Sequence, residues 1–280
     1  MPRRVDPVAE PEMLAAMDIV MQQAYGVPSF RVSIDRFAAV QPDGLVVVED
    51  GESVAGTGCC IAYPEGGFGW VGLVATVPGH QRRGIATAIT DVLADALAGH
   101  GCAPVLDASL AGGPVYERMG FVDHGATTVM ALAAQPPAPG PKGCDPLTPR
   151  DFDEVVEFDA VRFGAPRAAL LAKVIDQHPG RCLVVRREHR VAGYLVAQEG
   201  TLGPVVADDS DALSALVTQS LALDWASPPR INMPPESTHL ETLLGLGFEV
   251  RRELRHMRRG IALLPGRRDR IAGQVSLGEG

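Results

Sequence analysis

Apolar and polar positions alternate with two different periods over residues 10–132, and the two periods predict a mixed fold of helices and strands. Apolar residues recur every three or four positions, as on one helix face, over 10–25, 33–40, 84–98 and 113–119. Short apolar or alternating runs bounded by Gly and Pro predict strands over 45–49, 54–63, 68–77, 103–106 and 121–132. Three strands therefore precede the helix that begins near Gly84, and that helix crosses over to a fourth.

The second half of the chain repeats this order of elements. Helices are predicted over 149–160 and 166–177, and strands over 182–186 and 191–199. The run Leu45-Val-Val-Val-Glu followed by Val54-Ala-Gly is echoed by Leu183-Val-Val-Arg-Arg followed by Val191-Ala-Gly. This pattern indicates two copies of one fold.

The length of 280 residues and the hydrophobic fraction of 46% also favour two domains. We expect a first domain over 1–134 and a second over 147–262. The segment 135–146 holds five prolines and is typical of a semi-rigid linker. The Gly-rich segment 263–280 is expected to be a mobile tail.

Charge and cysteine content narrow the classes of function. The net charge of −9 argues against a general nucleic-acid or anionic-membrane binder and is compatible with a cationic substrate. The arginines clustered over 251–270 are interpreted as the solvated face of a last, exposed strand. Five cysteines without CxxC spacing indicate reduced thiols and no zinc site, and no apolar window approaches the ~20 residues of a membrane span. We therefore expect a cytoplasmic protein.

Residues 70–87 carry the strongest functional signal. An apolar strand ends at Pro78-Gly79, a short basic loop follows, and a helix begins near Gly84. A helix N-terminus offers unpaired N–H groups and a partial positive charge. With Arg82 and Arg83 beside a glycine, this helix start is predicted to hold a phosphate or pyrophosphate.

The motif Gln81-Arg-Arg-Gly-Ile-Ala, followed about thirty residues later by Val115-Tyr-Glu-Arg-Met-Gly-Phe, resembles the GNAT superfamily of acyl-CoA-dependent N-acyltransferases. The resemblance covers roughly residues 3–133. It implies two GNAT-like domains of mixed α/β class, each with a mostly antiparallel twisted sheet flanked by helices. It also implies acetyl-CoA as co-substrate, lying where the family's fourth and fifth strands, here the predicted strands 68–77 and 103–106, splay apart.

The same resemblance implies site residues. The main chain of the strand predicted over 68–77, which corresponds to the family's fourth strand, would bond the pantetheine arm. The loop with the first helical turn would hold the pyrophosphate. The implied cofactor-binding residues are Val74, Ala75, Thr76, Gln81, Arg82, Arg83, Gly84, Ile85, Ala86, Thr87 and Ser109. Ser109 stands where the family often has Asn, and it can cap the short helix or donate to the cofactor. Tyr116 matches the tyrosine that commonly protonates the departing thiolate.

Acyl transfer from a thioester to an amine needs a deprotonated amine, an N–H donor for the developing oxyanion and an acid near the sulfur. Tyr116 suits the acid, because a phenol with a pKa of about 10 stays protonated at neutral pH. The sequence leaves the base open among Asp107, Glu65, Glu49 and a water relay.

The second copy departs from the motif at the loop. Residues 203–211 carry three carboxylates and no arginine, so we expect no CoA there, with Asp208 or Ser210 serving as a helix N-cap. Within tandem acyltransferases of this family, one domain is degenerate, and the present arrangement resembles that group. Arg167 and His178 either line a substrate pocket or have structural roles.

These observations predict an N-acetyltransferase that moves an acetyl or other short acyl group from CoA to a primary amine of a small molecule or peptide. The alternative is a non-catalytic acyl-CoA-binding or regulatory protein. Loops 26–45 and 63–69 are expected to shape the acceptor pocket. The sequence identifies neither the acceptor nor the oligomeric state.

Overall fold

A computed structural model of the chain describes residues 1–133 and 143–280. Its helices within these residues are α1 (Pro11–Tyr25), α2 (Arg31–Val40), α3 (Ile85–Gly99), α4 (Gly113–Arg118), α5 (Phe152–Phe163), α6 (Ala168–Gln177), α7 (Ser210–Leu221) and α8 (Leu240–Gly245). Its strands are β1 (Pro2–Arg4), β2 (Leu45–Asp50), β3 (Ser53–Tyr63), β4 (Phe68–Thr76), β5 (Ala103–Ala108), β6 (Val122–Leu132), β7 (Asp145–Pro146), β8 (Cys182–Arg187), β9 (Arg190–Gln198), β10 (Thr201–Ala207), β11 (Arg230–Met233), β12 (Phe248–Arg258) and β13 (Ile271–Gly273).

The mixed α and β class predicted from the sequence is confirmed. The predicted helices and strands between residues 10 and 199 all form, with ends that differ by a few residues. None of the helices in residues 1–133 or 143–280 is both long enough and apolar enough to cross a membrane.

The chain forms two compact units that are not contiguous in sequence. The first contains residues 1–123, 257–262 and 279, and the second contains 124–256, 263–278 and 280. The unit boundaries therefore fall inside β6 and β12, whereas the sequence suggests a division at the Pro-rich segment. Most of that segment lies outside the described residues, and its last part forms β7, which pairs with β8.

The first unit contains the sheet β1-β2-β3-β4-β5, in which β4 and β5 are parallel and the other neighbours antiparallel. Helix α3 packs closely on it because β3 carries glycine where the helix approaches. A Cβ atom on Gly56 would lie 2.5 Å from the Ile85 side chain, and one on Gly58 would lie 2.5 Å from Ile89. This packing fixes the start of α3 against the sheet.

The second unit has the strand order β6-β11-β10-β9-β8-β7, with β13 also paired to β10. Its pairs are antiparallel except for β10 with β11. Helix α7 packs on β8, β9 and β10. Buried Leu195, Val205, Leu213 and Leu216 belong to its core.

The expectation of a mobile tail over 263–280 is wrong. Ile271, Ala272 and Val275 are buried in the second unit, where β13 pairs with β10. In the first unit, the Arg36 guanidinium donates two hydrogen bonds, of 2.8 and 2.7 Å, to the buried Glu279 carboxylate. Long-range burial thus outweighs the local flexibility that the glycines suggest.

Candidate functional site

Strand β4 separates from β5 after a short stretch of pairing. In the described part of the chain, the two strands pair from Phe68 with Ala103 to Trp70 with Val105. Beyond that point β4 contains one extra residue relative to β3, and Leu73 adopts a positive φ of 52°. A bulge of this kind bends the strand and increases its twist. It accompanies an opening between the ends of the two parallel strands.

The last part of β4 turns backbone carbonyls toward this opening. The Val77 N–H donates to Ala55 O on β3 at 3.0 Å, and in a trans peptide the preceding carbonyl points the opposite way. The Thr76 carbonyl therefore points away from β3, and strand alternation directs the Val74 carbonyl likewise. The Tyr25 hydroxyl donates to Val74 O at 2.9 Å.

Of the predicted residues Val74, Ala75 and Thr76, the middle one does not turn its backbone groups toward the opening. Ala75 pairs with Thr57 on β3, so its own N–H and C=O face that strand rather than the opening. The Gln81 side-chain amide lies 3.5 Å from Thr76 O. The open backbone edge is therefore provided by Val74 and Thr76.

The start of α3 has free donors and no side-chain cap. Gly84 occupies the N-cap position with a φ of 79°, and the first N–H bonded within the helix is that of Ala88, to Gly84 O at 3.0 Å. The N–H groups of Ile85, Ala86 and Thr87 therefore have no partner within the helix. The side chains of residues 81–83 and Gly84 are exposed. This is the arrangement of a helix N-terminus that accepts an anion.

The loop before α3 has a mixed charge environment. The His80 Nε2 atom lies 2.7 Å from the Asp50 carboxylate, and Arg83 Nη1 lies 3.6 Å from it. The hydrogen bond from His80, the charge of His80 and the charge of Arg83 lower the pKa of Asp50. Asp50 thus offsets part of the charge of Arg83, whereas Arg82, with a φ of 63°, extends into solvent.

Tyr116 lies on α4 beside the helix that carries the free donors. Its ring packs edge-on against Phe121 at 5.8 Å between centroids, and the Thr90 side chain on α3 hydrogen-bonds its hydroxyl. Burial raises the pKa of Tyr116 well above the ordinary phenol value, and the nearby Tyr25 adds to the rise. The phenol therefore keeps its proton at neutral and moderately alkaline pH.

Ser109 is exposed and bonds the turn that precedes α4. Its Oγ atom accepts the Gly112 N–H at 3.1 Å, just before α4. Helix α4 itself has Gly112 at its N-cap and no side-chain cap, so Ser109 bonds the preceding turn and does not cap the helix. The Ser109 hydroxyl keeps a proton that it can donate, and a hydrogen bond to the cofactor stays a prediction.

The three carboxylates considered as a base lie in different places. Glu65 precedes β4, about 25 Å of strand away from Thr76. The Arg3 guanidinium bonds Glu49 at 2.9 Å and lowers the pKa of that carboxyl. Asp107 alone among them lies on β5 past its last residue paired with β4, next to the opening.

In the second unit the corresponding helix start is already filled by carboxylates. Asp209 caps α7, with its Oδ1 atom accepting the Ala212 N–H at 2.9 Å, and Arg187 bonds the same carboxylate. Arg162 bonds both oxygens of Asp208 at 2.7 and 2.8 Å. The cap is therefore Asp209, and the expectation that one of its two neighbours has this role is wrong.

Arg167 and His178 have structural partners in the second unit. The Arg167 guanidinium is buried and donates to both oxygens of Asp159 at 2.8 and 2.9 Å. His178 is also buried, with Nδ1 lying 2.8 Å from Val174 O. These contacts support the structural interpretation of both residues.

The late arginines are divided between exposed and structural positions. Arg251 and Arg252 are exposed on β12, in agreement with the expected solvated strand. Arg259 instead donates to Met119 O at 3.1 Å in the first unit, and Arg268 is buried in the second. The segment therefore does not form a uniform basic face.

Sequence reasoning missed Tyr25 and Thr90, the two hydroxyl residues near Tyr116. Tyr25 is the last residue of α1, and the left-handed Gly26 follows it. Its position at a predicted helix end before Gly was the available signal, but no local pattern places that end beside β4.

Comparison with known proteins assigns both halves of the chain to one family. Residues 13–121 match the model described as the Acetyltransferase (GNAT) family, and residues 155–273 match that described as the Acetyltransferase (GNAT) domain. The chain is also 28% identical over 111 residues to the holothin acyltransferase of Pseudoalteromonas sp. (strain SANK 73390). That alignment spans 38% of this chain and 38% of the curated relative.

Solved structures share the fold over most of the chain. A protein of Pyrococcus horikoshii assigned as an acetyltransferase superposes with a TM-score of 0.85 at 24% identity, over 100% of this chain and 95% of that one. A GCN5-related N-acetyltransferase of Sphaerobacter thermophilus superposes with a TM-score of 0.63 at 16% identity, over 94% and 97%. The two family models, which together match residues 13–121 and 155–273, show that the chain belongs to the GNAT family and contains two GNAT domains in tandem.

Proposed function

We propose that this chain transfers an acetyl or other short acyl group from CoA to a primary amine, and that, of the two units described over 1–133 and 143–280, the first carries the acyl-CoA site. The observation that carries the proposal is the bulge in β4, which leaves the Val74 and Thr76 carbonyls on an open edge beside the uncapped start of α3. An acyl-CoA molecule has matching groups, since its pantetheine arm has amide donors and its pyrophosphate is an anion.

Different residues of the first unit bind the pantetheine arm and the pyrophosphate. The open edge of β4 accepts hydrogen bonds from the pantetheine amides. The loop from Gln81 to Gly84 and the N–H groups of Ile85, Ala86 and Thr87 hold the pyrophosphate, with Arg82 and Arg83 adding charge. Donors in a protein site are pre-oriented and need no rearrangement when the anion binds.

The transfer itself then requires one acid and one base. The amine nitrogen attacks the thioester carbon, a C–N bond forms and the C–S bond breaks. Tyr116 gives its proton to the departing sulfur, which suits a partly buried phenol that is hydrogen-bonded to Thr90. Asp107, or a water molecule that it orients, takes the proton from the amine, because it is the candidate carboxylate next to the opening.

The second unit does not bind CoA under this proposal. Its α7 start is occupied by the Asp209 carboxylate, and Asp208 is held by Arg162. A pyrophosphate there would meet the negative charge of Asp208 and Asp209 and an Ala212 N–H that is already bonded. We also propose a cytoplasmic location, in keeping with five free cysteines of which four are buried.

The test is release of free CoA thiol from acetyl-CoA with a panel of acceptors that includes amino acids, peptides, polyamines, aminoglycosides and holothin. We expect release that depends on one class of amine. Tyr116→Phe should lower kcat by about 100-fold with little change in the Kd of acetyl-CoA. Because burial raises the pKa of Tyr116, wild-type kcat should not fall up to about pH 10.

Binding of acetyl-CoA without release for any amine would favour the alternative of a non-catalytic acyl-CoA-binding protein. Full turnover in Tyr116→Phe at every pH would remove Tyr116 as the acid while leaving the acyltransferase assignment in place.

A further inference from the structure

Tyr25 contacts the proposed acyl-CoA site from α1. Its side chain is about half exposed, at 53% for the residue, yet its hydroxyl donates to Val74 O at 2.9 Å. Val74 O belongs to the open edge of β4, and the hydroxyl also lies near enough to Tyr116 to influence the pKa of that phenol. A half-exposed tyrosine therefore occupies a backbone acceptor in the middle of the opening.

We infer that Tyr25 competes with the pantetheine arm for Val74 O and that acyl-CoA displaces its hydroxyl from this acceptor when it binds. This inference rests on the proposed function, which gives the same carbonyl to a pantetheine amide. A carbonyl at a strand edge accepts best near its own plane, and the Tyr25 hydroxyl already bonds this oxygen at 2.9 Å. The Tyr25 hydroxyl and a pantetheine amide thus compete for the same acceptor.

The surroundings of Tyr25 are consistent with a side chain that can leave. The residue after it is Gly26, with a φ of 65° and no atom near its Cβ position. The Tyr25 ring packs on Phe30 at 5.8 Å between centroids, and Asp18 fixes the loop by accepting from Ser29 Oγ at 2.9 Å and the Phe30 N–H. The loop backbone is held, while the phenol at its edge is half in solvent.

Displacement has a consequence for the measured affinity. Acyl-CoA must take the Val74 carbonyl from the Tyr25 hydroxyl before the pantetheine arm can bond it. The measured affinity for acyl-CoA is then lower than the intrinsic affinity, by the fraction of molecules in which Val74 O is free.

The experiment is calorimetric titration of the full chain with acetyl-CoA and with adenosine 3′,5′-bisphosphate, which lacks the pantetheine arm. Tyr25→Phe removes only the hydroxyl, and Tyr25→Leu removes it with a different side chain. We expect both variants to bind acetyl-CoA about two- to tenfold more tightly than wild type, the value of one hydrogen bond. The affinity for the bisphosphate should stay unchanged.

Unchanged or weaker acetyl-CoA binding in both variants would overturn the inference while leaving the proposed function intact. An equal gain for both ligands would also overturn it, because the bisphosphate does not reach Val74. If neither wild type nor variants bind acetyl-CoA, the proposed function itself falls and the inference with it. Acetyl-CoA binding by Tyr25→Phe but not by wild type would support the inference in its strongest form.

Discussion

Helices α3 and α7 begin at corresponding points of the two halves of the chain, and their first turns are satisfied in opposite ways. At α3 the N-cap is Gly84, the preceding side chains are basic, and no side chain bonds the first N–H groups. At α7 the N-cap is Asp209, whose carboxylate accepts the Ala212 N–H. The first helix start has no side-chain cap, and the second is capped by a carboxylate of the chain itself.

The arginines around the second helix start extend this contrast. Arg162 and Arg187 bond the carboxylates of Asp208 and Asp209. The net charge of this cluster is therefore balanced within the unit. In the first unit, by comparison, Arg82 extends from the loop into solvent. The comparison shows that a repeat can keep the strand and the helix while the helix start changes. In the second unit a carboxylate of the chain, Asp209, occupies that start.

The largest effect is expected from reversing the charge of the loop that precedes α3. Arg82→Glu combined with Arg83→Glu should weaken acetyl-CoA binding on the order of 100-fold, because two favourable charges at a pyrophosphate become repulsive. Titration calorimetry measures the Kd. The matched control is Arg251→Glu with Arg252→Glu, an exposed adjacent pair on β12, for which we expect no change in Kd. An equal loss in both double variants would contradict a local pyrophosphate site.

A smaller effect is expected from giving α3 an acidic N-cap residue like that of α7. Gly84→Asp introduces a carboxylate at the N-cap of α3, where the φ of 79° is tolerated by Asp and Asn better than by other residues. We expect about tenfold weaker acetyl-CoA binding. Gly84→Asn, which has nearly the same shape without the charge, should lose much less. Equal losses in Asp and Asn variants would show that backbone strain, and not charge, separates the two helix starts.

Much of the structure around the start of α3 could be predicted from local sequence. Pro78 and Gly79 end the strand, and Gly84 permits the left-handed turn into α3, so three residues determine the boundaries. The bulge was not predictable, because its positive φ falls on Leu73 within an unbroken apolar run. The bulge arises from the pairing of β4 with β3. The spacing of residues within β4 does not predict that pairing.

Distant pairing also explains the remaining errors. The bond between Arg36 and Glu279 joins residues 243 positions apart, and it orders a segment whose composition indicates mobility. The position of Tyr25 beside Val74 likewise depends on how α1 packs on the sheet. At α7, three consecutive residues 208–210 could each cap a helix, and only the geometry selects Asp209.

Removing the internal cap of α7 should affect stability but not cofactor binding. Asp209→Ala is expected to lower the free energy of unfolding by about 1 kcal/mol, because the Ala212 N–H loses its acceptor. Urea titration measures the change, and calorimetry should give an unchanged Kd for acetyl-CoA. Asp211→Ala is the control, since that side chain is 91% exposed and caps nothing. Weaker acetyl-CoA binding in Asp209→Ala alone would mean that the second helix start belongs to the cofactor site.

The smallest effect is expected from Asp209→Asn, a substitution that distinguishes the charge of Asp209 from its geometry as a cap. Burial acts to raise the pKa of Asp209, but the Ala212 N–H and Arg187 outweigh it and hold the pKa below the usual value. A carboxyl with a lowered folded-state pKa adds stability above its unfolded pKa of about 3.9, and this is lost as pH falls through the folded value.

Asp209→Asn keeps an amide oxygen as cap and removes the charge, so it should be less stable than wild type at pH 7 by about 0.3–1 kcal/mol. Urea titrations from pH 7 down to pH 3 should show this difference shrinking toward zero as the wild-type carboxyl takes up its proton. A difference that stays constant over that range would assign the effect to packing. The negative charge at α7 would then not be what distinguishes it from α3.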